Sequence, residues 1–101
     1  MPIMEITVIP LGTKSPSVSK YVAELIDVLK KEKDIKYELT SMSTIIEAES
    51  LDKLFVVAKK MHQLPFDKGA MRVVTSINID ERLDKKSTIQ GKKDSVLDKL
   101  E

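Results

Sequence analysis

Residues 35–61 read IKYELTSMSTIIEAESLDKLFVVAKKM, and the changes of period inside this stretch decide the fold class. Ile35, Tyr37 and Leu39 recur at every second position with Lys36, Glu38 and Thr40 between them, the pattern of a half-buried strand. After a short polar turn, Thr44 to Ala48 (TIIEA) forms the returning arm of a hairpin. Ser50 then offers a side-chain oxygen to a helix N-terminus, and Leu51, Leu54, Phe55, Ala58 and Met61 make an apolar stripe that Pro65 ends. The middle of the chain is therefore strand, turn, strand, helix.

Working outward, Ile3 to Pro10 (IMEITVIP) alternates, with Met4, Ile6 and Val8 on one face and Glu5, Thr7 and Ile9 on the other. Pro10-Leu11-Gly12-Thr13 breaks that strand, and Ser15-Pro16 starts a helix whose apolar face is Val18, Val22, Leu25, Ile26 and Leu29 and which ends near Glu32. On the other side, Asp67-Lys68-Gly69 is a turn and Ala70 to Asp80 a long last strand, with Val73, Thr75, Ile77 and Ile79 opposed to Arg72, Val74, Ser76, Asn78 and Asp80. Ile89, Val96, Leu97 and Leu100 predict a third helix over about 87–100, although Gly91 costs it about 1 kcal/mol relative to alanine.

The order βαββαβ predicts an α/β (α+β) sandwich of the ferredoxin-like kind, a four-stranded antiparallel sheet with two helices on one face plus a C-terminal helix, all in one domain spanning 1–101. The other face carries Glu5, Thr7, Ile9, Arg72, Val74, Ser76 and Asn78. Being half apolar, it can meet water, a ligand or a second sheet, and a closed symmetric assembly buries it; a homo-oligomer is expected.

Composition removes several functions. With 17 Lys and Arg against 16 Asp and Glu, the mean charge exerts no pull on nucleic acid, and Tyr37 alone is a poor platform for stacking bases. The absence of cysteine excludes a disulfide framework and a thiolate metal site, and the single histidine, His62, gives little basis for a metal centre or a catalytic triad. No cofactor motif, acid/base pair or long apolar span stands out, so the chain is read as cytoplasmic and not an enzyme. Charged residues reach 33% with only one Asn and two Gln, a thermophile-leaning balance.

Three places can carry binding chemistry. Glu47 stands in an otherwise apolar strand, where a carboxyl group needs a cation or hydrogen-bond donors: Arg72, a lysine of a neighbouring strand, or a ligand. His62, at the edge of the second helix's stripe, is either a packing or helix-terminal residue or a ligand contact. Arg72 and the Asp80–Arg82 pair read as structural, and the strand-to-helix junction at Leu11, Gly12 and Thr13 offers backbone amides.

The stretches VIPLGT (Val8 to Thr13), Ser17 to Tyr21, MSTIIEAE (Met42 to Glu49), His62 and RVVTSINIDER (Arg72 to Arg82) together resemble the thiamine-binding protein family, small proteins similar to YkoF-like binders of hydroxymethylpyrimidine and thiamine. The resemblance extends over nearly the whole chain, with Ser43 standing where a glycine is expected. It implies a ferredoxin-like fold assembled as dimers and tetramers, and non-catalytic binding of thiamine or a related aminopyrimidine in a pocket at a subunit interface. On that basis Glu47 is expected to face the ligand's cationic or polar part. Thr44 and the backbone near Leu11, Gly12 and Thr13 would orient it, with His62 and Asn78 as secondary contacts. A structural or regulatory homo-oligomer without a small-molecule ligand is the alternative.

Overall fold

The computed structural model describes residues 1–12 and 19–100, in the order β1 (Ile3–Leu11), α1 (Ser19–Lys31), β2 (Ile35–Leu39), β3 (Thr44–Ala48), α2 (Leu51–Asp67), β4 (Arg72–Asp80) and α3 (Ile89–Lys99). One antiparallel sheet of order β2-β3-β1-β4 results, the ferredoxin-like arrangement. The Ser15-Pro16 helix start lies outside the described residues.

Register fixes the two faces. Met4 lies beside Ile46 and Ile79, and Ile6 beside Thr44 and Ile77, so these side chains share the face on which α1 and α2 pack. That layer holds the core: Met4, Ile6, Leu25, Leu29, Ile46, Ala48, Leu54, Val57, Ala58 and Met61. Tyr37, opposite Ile46, also points there and packs against the core, which removes it from the other face altogether.

Helix α2 departs from expectation in two ways. Its buried residues are Leu54, Val57, Ala58, Met61 and Pro65, whereas Phe55 and Leu51 are exposed. In the run Leu54-Phe55-Val56-Val57-Ala58 every position is apolar, and burial selects the set three and four residues apart that continues to Met61 and Pro65. The helix also passes through Pro65. This close to the end only one helical bond is forfeited, the ring is buried, and the Pro65 carbonyl accepts from Lys68 N (3.1 Å) and Ala70 N (2.9 Å), so β4 starts at Arg72 rather than Ala70.

Glu32 ties α1 to α2. Its side chain is 9% exposed and accepts from Lys53 Nζ (2.8 Å) and from Lys60 Nζ. The hydrogen bond from Lys53, then that from Lys60, holds the Glu32 carboxyl below the ordinary glutamate pKa.

Helix α3 lies on the other face of the sheet. Glu47, Asp80 and Glu38 all project to the side opposite Met4, and each holds α3 or its N-terminus: Ile89 N donates to Glu47 Oε1 (2.8 Å), Lys92 Nζ to Asp80 Oδ2 (2.5 Å) and Lys93 Nζ to Glu38 Oε1 (3.2 Å). Thr88 is the N-cap, in keeping with the expected start, but α3 buries none of its own residues, so the expected apolar stripe Val96, Leu97 and Leu100 is exposed. Gly91 sits close against the cap: its N–H donates to Thr88 Oγ1, and a Cβ at 91 would stand 2.8 Å from that same oxygen, so a larger residue requires the Thr88 side chain to shift.

Candidate functional site

Strand β1 is longer than its partner β3. Ile3 to Ile6 pair with β3, but Thr7 to Leu11 pair only with β4, so the sheet has a notch where the β2–β3 hairpin stops. The notch opens into a cleft of about 540 Å³, within the size range of small-molecule sites. Ile6, Val8, Val22, Leu25 and Met61 supply its apolar wall, and the hairpin end from Leu39 to Thr44 closes the other side with a row of hydroxyls.

That hairpin end is tightly organised. Thr40 Oγ1 accepts from Ser43 N (3.0 Å) and Met42 N (3.3 Å), while Thr40 N donates to Ser43 O (2.8 Å). Ser43 does not need the left-handed backbone that a glycine would serve. Instead its hydroxyl donates to Glu5 Oε2 (3.1 Å), and Asn78 Nδ2 donates to Glu5 Oε1 (3.2 Å). Two donors, one from the hairpin turn and one from β4, thus fix a carboxyl group one hydrogen bond away from the cleft lining. Sequence reasoning placed Glu5 on the open face without marking it. The available signal was that Glu5 is the one acidic residue on the face of β1 that carries Thr7 and Ile9.

The expected site residues do not converge on one place. Thr44, 7% exposed, lines the cleft from the helix-facing side of β3. Leu11 and Gly12 stand at the far end of β1, where Gly12 has φ +74°, a conformation that favours glycine as the chain leaves the strand. Thr13 lies outside the described residues. Asn78 is on the opposite sheet face, bonded to Glu5.

Glu47 is 1% exposed, on the face opposite Thr44, under the first turn of α3. The expected partner Arg72 is not available to it. Arg72 pairs with Leu11 whereas Glu47 pairs with Ile3, a separation of roughly 25 Å along the strands. The Asp80–Arg82 pair is likewise replaced: Arg82 binds Asp84 (2.9 and 2.5 Å) and Asp80 binds Lys92.

His62 is half-buried between α2 and β4. Its Nδ1 lies 2.6 Å from Thr75 Oγ1, and its ring meets Phe66 edge-on, with centroids 5.6 Å apart at 66°. It borders a separate groove of about 290 Å³ together with Phe55 and Ile77. Among the described residues no group of three or more His, Cys, Asp or Glu could hold a metal ion, and no helix is long and apolar enough to cross a membrane.

Comparison with known proteins places this arrangement. Residues 4–97 match the model of a family described as thiamine-binding protein. The UPF0045 protein YqgV of Bacillus subtilis is 50% identical over 99 residues, which cover 95% of this chain and 94% of that protein. The crystal structure of MJ1052 from Methanocaldococcus jannaschii superposes with a TM-score of 0.84 at 41% identity, covering 94% of each chain. A Bacillus cereus structure of a domain of unknown function, DUF77, does so at 0.77 and 34%, covering 90% of this chain and 85% of that one.

Proposed function

The chain belongs to the thiamine-binding protein family, and from that premise we propose that it binds thiamine or a related aminopyrimidine without converting it, in the cleft at the β1 notch. The observation that carries this reading is an apolar cleft with the Thr44 and Ser43 hydroxyls in its wall, Ser43 in turn donating to the Glu5 carboxyl group on the opposite side of the sheet. An aminopyrimidine presents donors and acceptors on one edge and two apolar faces. Aliphatic walls accommodate the faces, and the hydroxyls of Thr40 and Thr44 meet the edge. Thiamine adds a thiazolium cation, to which we assign Glu5, one hydrogen bond from the lining at Ser43, as counter-charge, with Asn78 acting by holding Glu5.

In this reading Glu47 serves the protein's own α3, and Leu11 and Gly12 lie beyond the cleft at the far end of β1. A second copy of the chain completes the pocket, because one wall of the cleft is a projecting β1–β4 ribbon with exposed Ile9 and Val74.

Calorimetric titration tests the assignment. Wild type should bind both thiamine and the neutral hydroxymethylpyrimidine. Thr44→Val should weaken both by about three- to tenfold, the worth of one hydrogen bond. Glu5→Gln should weaken thiamine selectively, and Glu47→Gln should leave both affinities in place. Absence of binding to wild type, or equal affinities across all variants, refutes the proposal.

A further inference from the structure

The loop from Glu81 to Thr88 and the outer side of α3 enclose a second cleft, of about 570 Å³. Arg82, Lys85, Lys86, Lys92 and Lys99 all line it, in a chain whose net charge is only +1. Five cations around one concavity repel one another, and an anion seated among them would weaken that repulsion beyond what water and salt achieve. The protein supplies part of that neutralisation: Asp84 accepts from Arg82, and Asp80 from Lys92. Among the described residues, Lys85, Lys86 and Lys99 have no carboxylate within 4.0 Å. Ser87, 6% exposed, adds a hydroxyl to the same wall.

We propose that this cleft binds the phosphate groups of a small phosphorylated molecule, with Lys85, Lys86 and Lys99 as its charged donors. Three ammonium groups with no carboxylate within 4.0 Å among the described residues leave positive charge in the hollow that a multiply charged anion would offset. Lysine binds phosphate well as a point charge, and a diphosphate can meet several lysines at once. Nucleic acid fits less well, because it needs a basic track along its backbone or aromatic platforms, and the cations here surround a single hollow lined by no aromatic residue. The site is separate from the notch: it adjoins Asp80, which pairs with Ile3, whereas the notch begins at Thr7. It therefore stands whether or not the notch takes a pyrimidine.

The test is calorimetry at constant ionic strength, with inorganic pyrophosphate and ADP as probes. Saturable binding is expected, tighter for ADP if an organic diphosphate is the natural ligand and equal for both if the phosphates alone are recognised. The double variant Lys85→Gln/Lys86→Gln should weaken it by about tenfold or more, while Lys59→Gln/Lys68→Gln, on and just after α2 across the sheet from α3, leaves it intact. Thiamine titrated against the same variants should be unaffected, which keeps the two sites distinguishable. The proposal fails if neither probe saturates, if both double variants weaken binding equally, or if a single-stranded oligonucleotide is held more tightly than pyrophosphate.

Discussion

A carboxyl group at 1% exposure loses nearly all its hydration, so Glu47 can persist only with protein donors. One is the first N–H of α3, at 2.8 Å, where the helix dipole also favours negative charge. The same bond is one of three polar ties that, among the described residues, fasten α3 to the sheet, and α3 buries no residue of its own. Removing the acceptor should therefore act on α3 before it acts on the core. Glu47→Ala should cost about 2 kcal/mol in urea unfolding, and Glu47→Gln, which keeps a neutral acceptor, about half of that. Amide exchange should speed up across Ile89 to Gly91 in both. Equal losses in the two variants, or exchange unchanged in α3, would contradict the anchoring role. That Glu47 is buried and needs a donor was legible from Ile45-Ile46-Glu47-Ala48. Its donor was not, because an amide 42 residues later comes within reach only once α3 has crossed to the opposite face.

Among the elements, strands were the more legible. Alternation assigns Met4, Ile6 and Val8 to one face of β1 without reference to anything else, and the register bears that division out. Helix α2 was harder. Five successive apolar residues are compatible with several stripes, and only packing on α1 and the sheet selects Val57 over Phe55. Part of what fastens α1 to α2 is the Glu32 link to Lys53 and Lys60. Because the folded pKa of Glu32 is depressed, its contribution is fully present above the ordinary glutamate pKa and is lost as pH falls below that value and through the folded one. Glu32→Gln should thus cost about 1 kcal/mol near neutrality, a modest figure since Lys60 is half exposed, and should make stability less sensitive to acid over that window. Urea midpoints measured across the acid range check this. A variant whose acid dependence matches wild type would show that the link contributes nothing.

At the scale of the whole molecule, its extended shape and the exposed apolar residues along β4 lead us to expect assembly with a second copy. Its radius of gyration is 14.9 Å, against about 13 Å for a compact domain of this length, with extents of 46 × 31 × 20 Å. The β1–β4 ribbon projects past the hairpin. β4 is also an edge strand of nine residues with no charge between Arg72 and Asp80, no proline, and Val74, Ile77 and Ile79 exposed. The other edge, β2, carries Lys36 and Glu38 within five residues. Exposed edges are normally kept from pairing by short length, charge or proline, and β4 has none of these along its central run. Pairing of β4 with its symmetry mate would satisfy that edge in an isologous contact, extend the sheet across two copies and bring two notches into one assembly. Light scattering behind size exclusion should accordingly give at least twice the 11.4 kDa chain mass. Val74→Lys should shift the protein toward the single-chain mass and weaken thiamine binding with it, whereas Leu83→Lys, 97% exposed and off the strand, should change neither. A wild type that elutes as one chain would remove the assembly; a Val74→Lys variant that dissociates yet binds thiamine as before would show that one copy suffices to form the pocket.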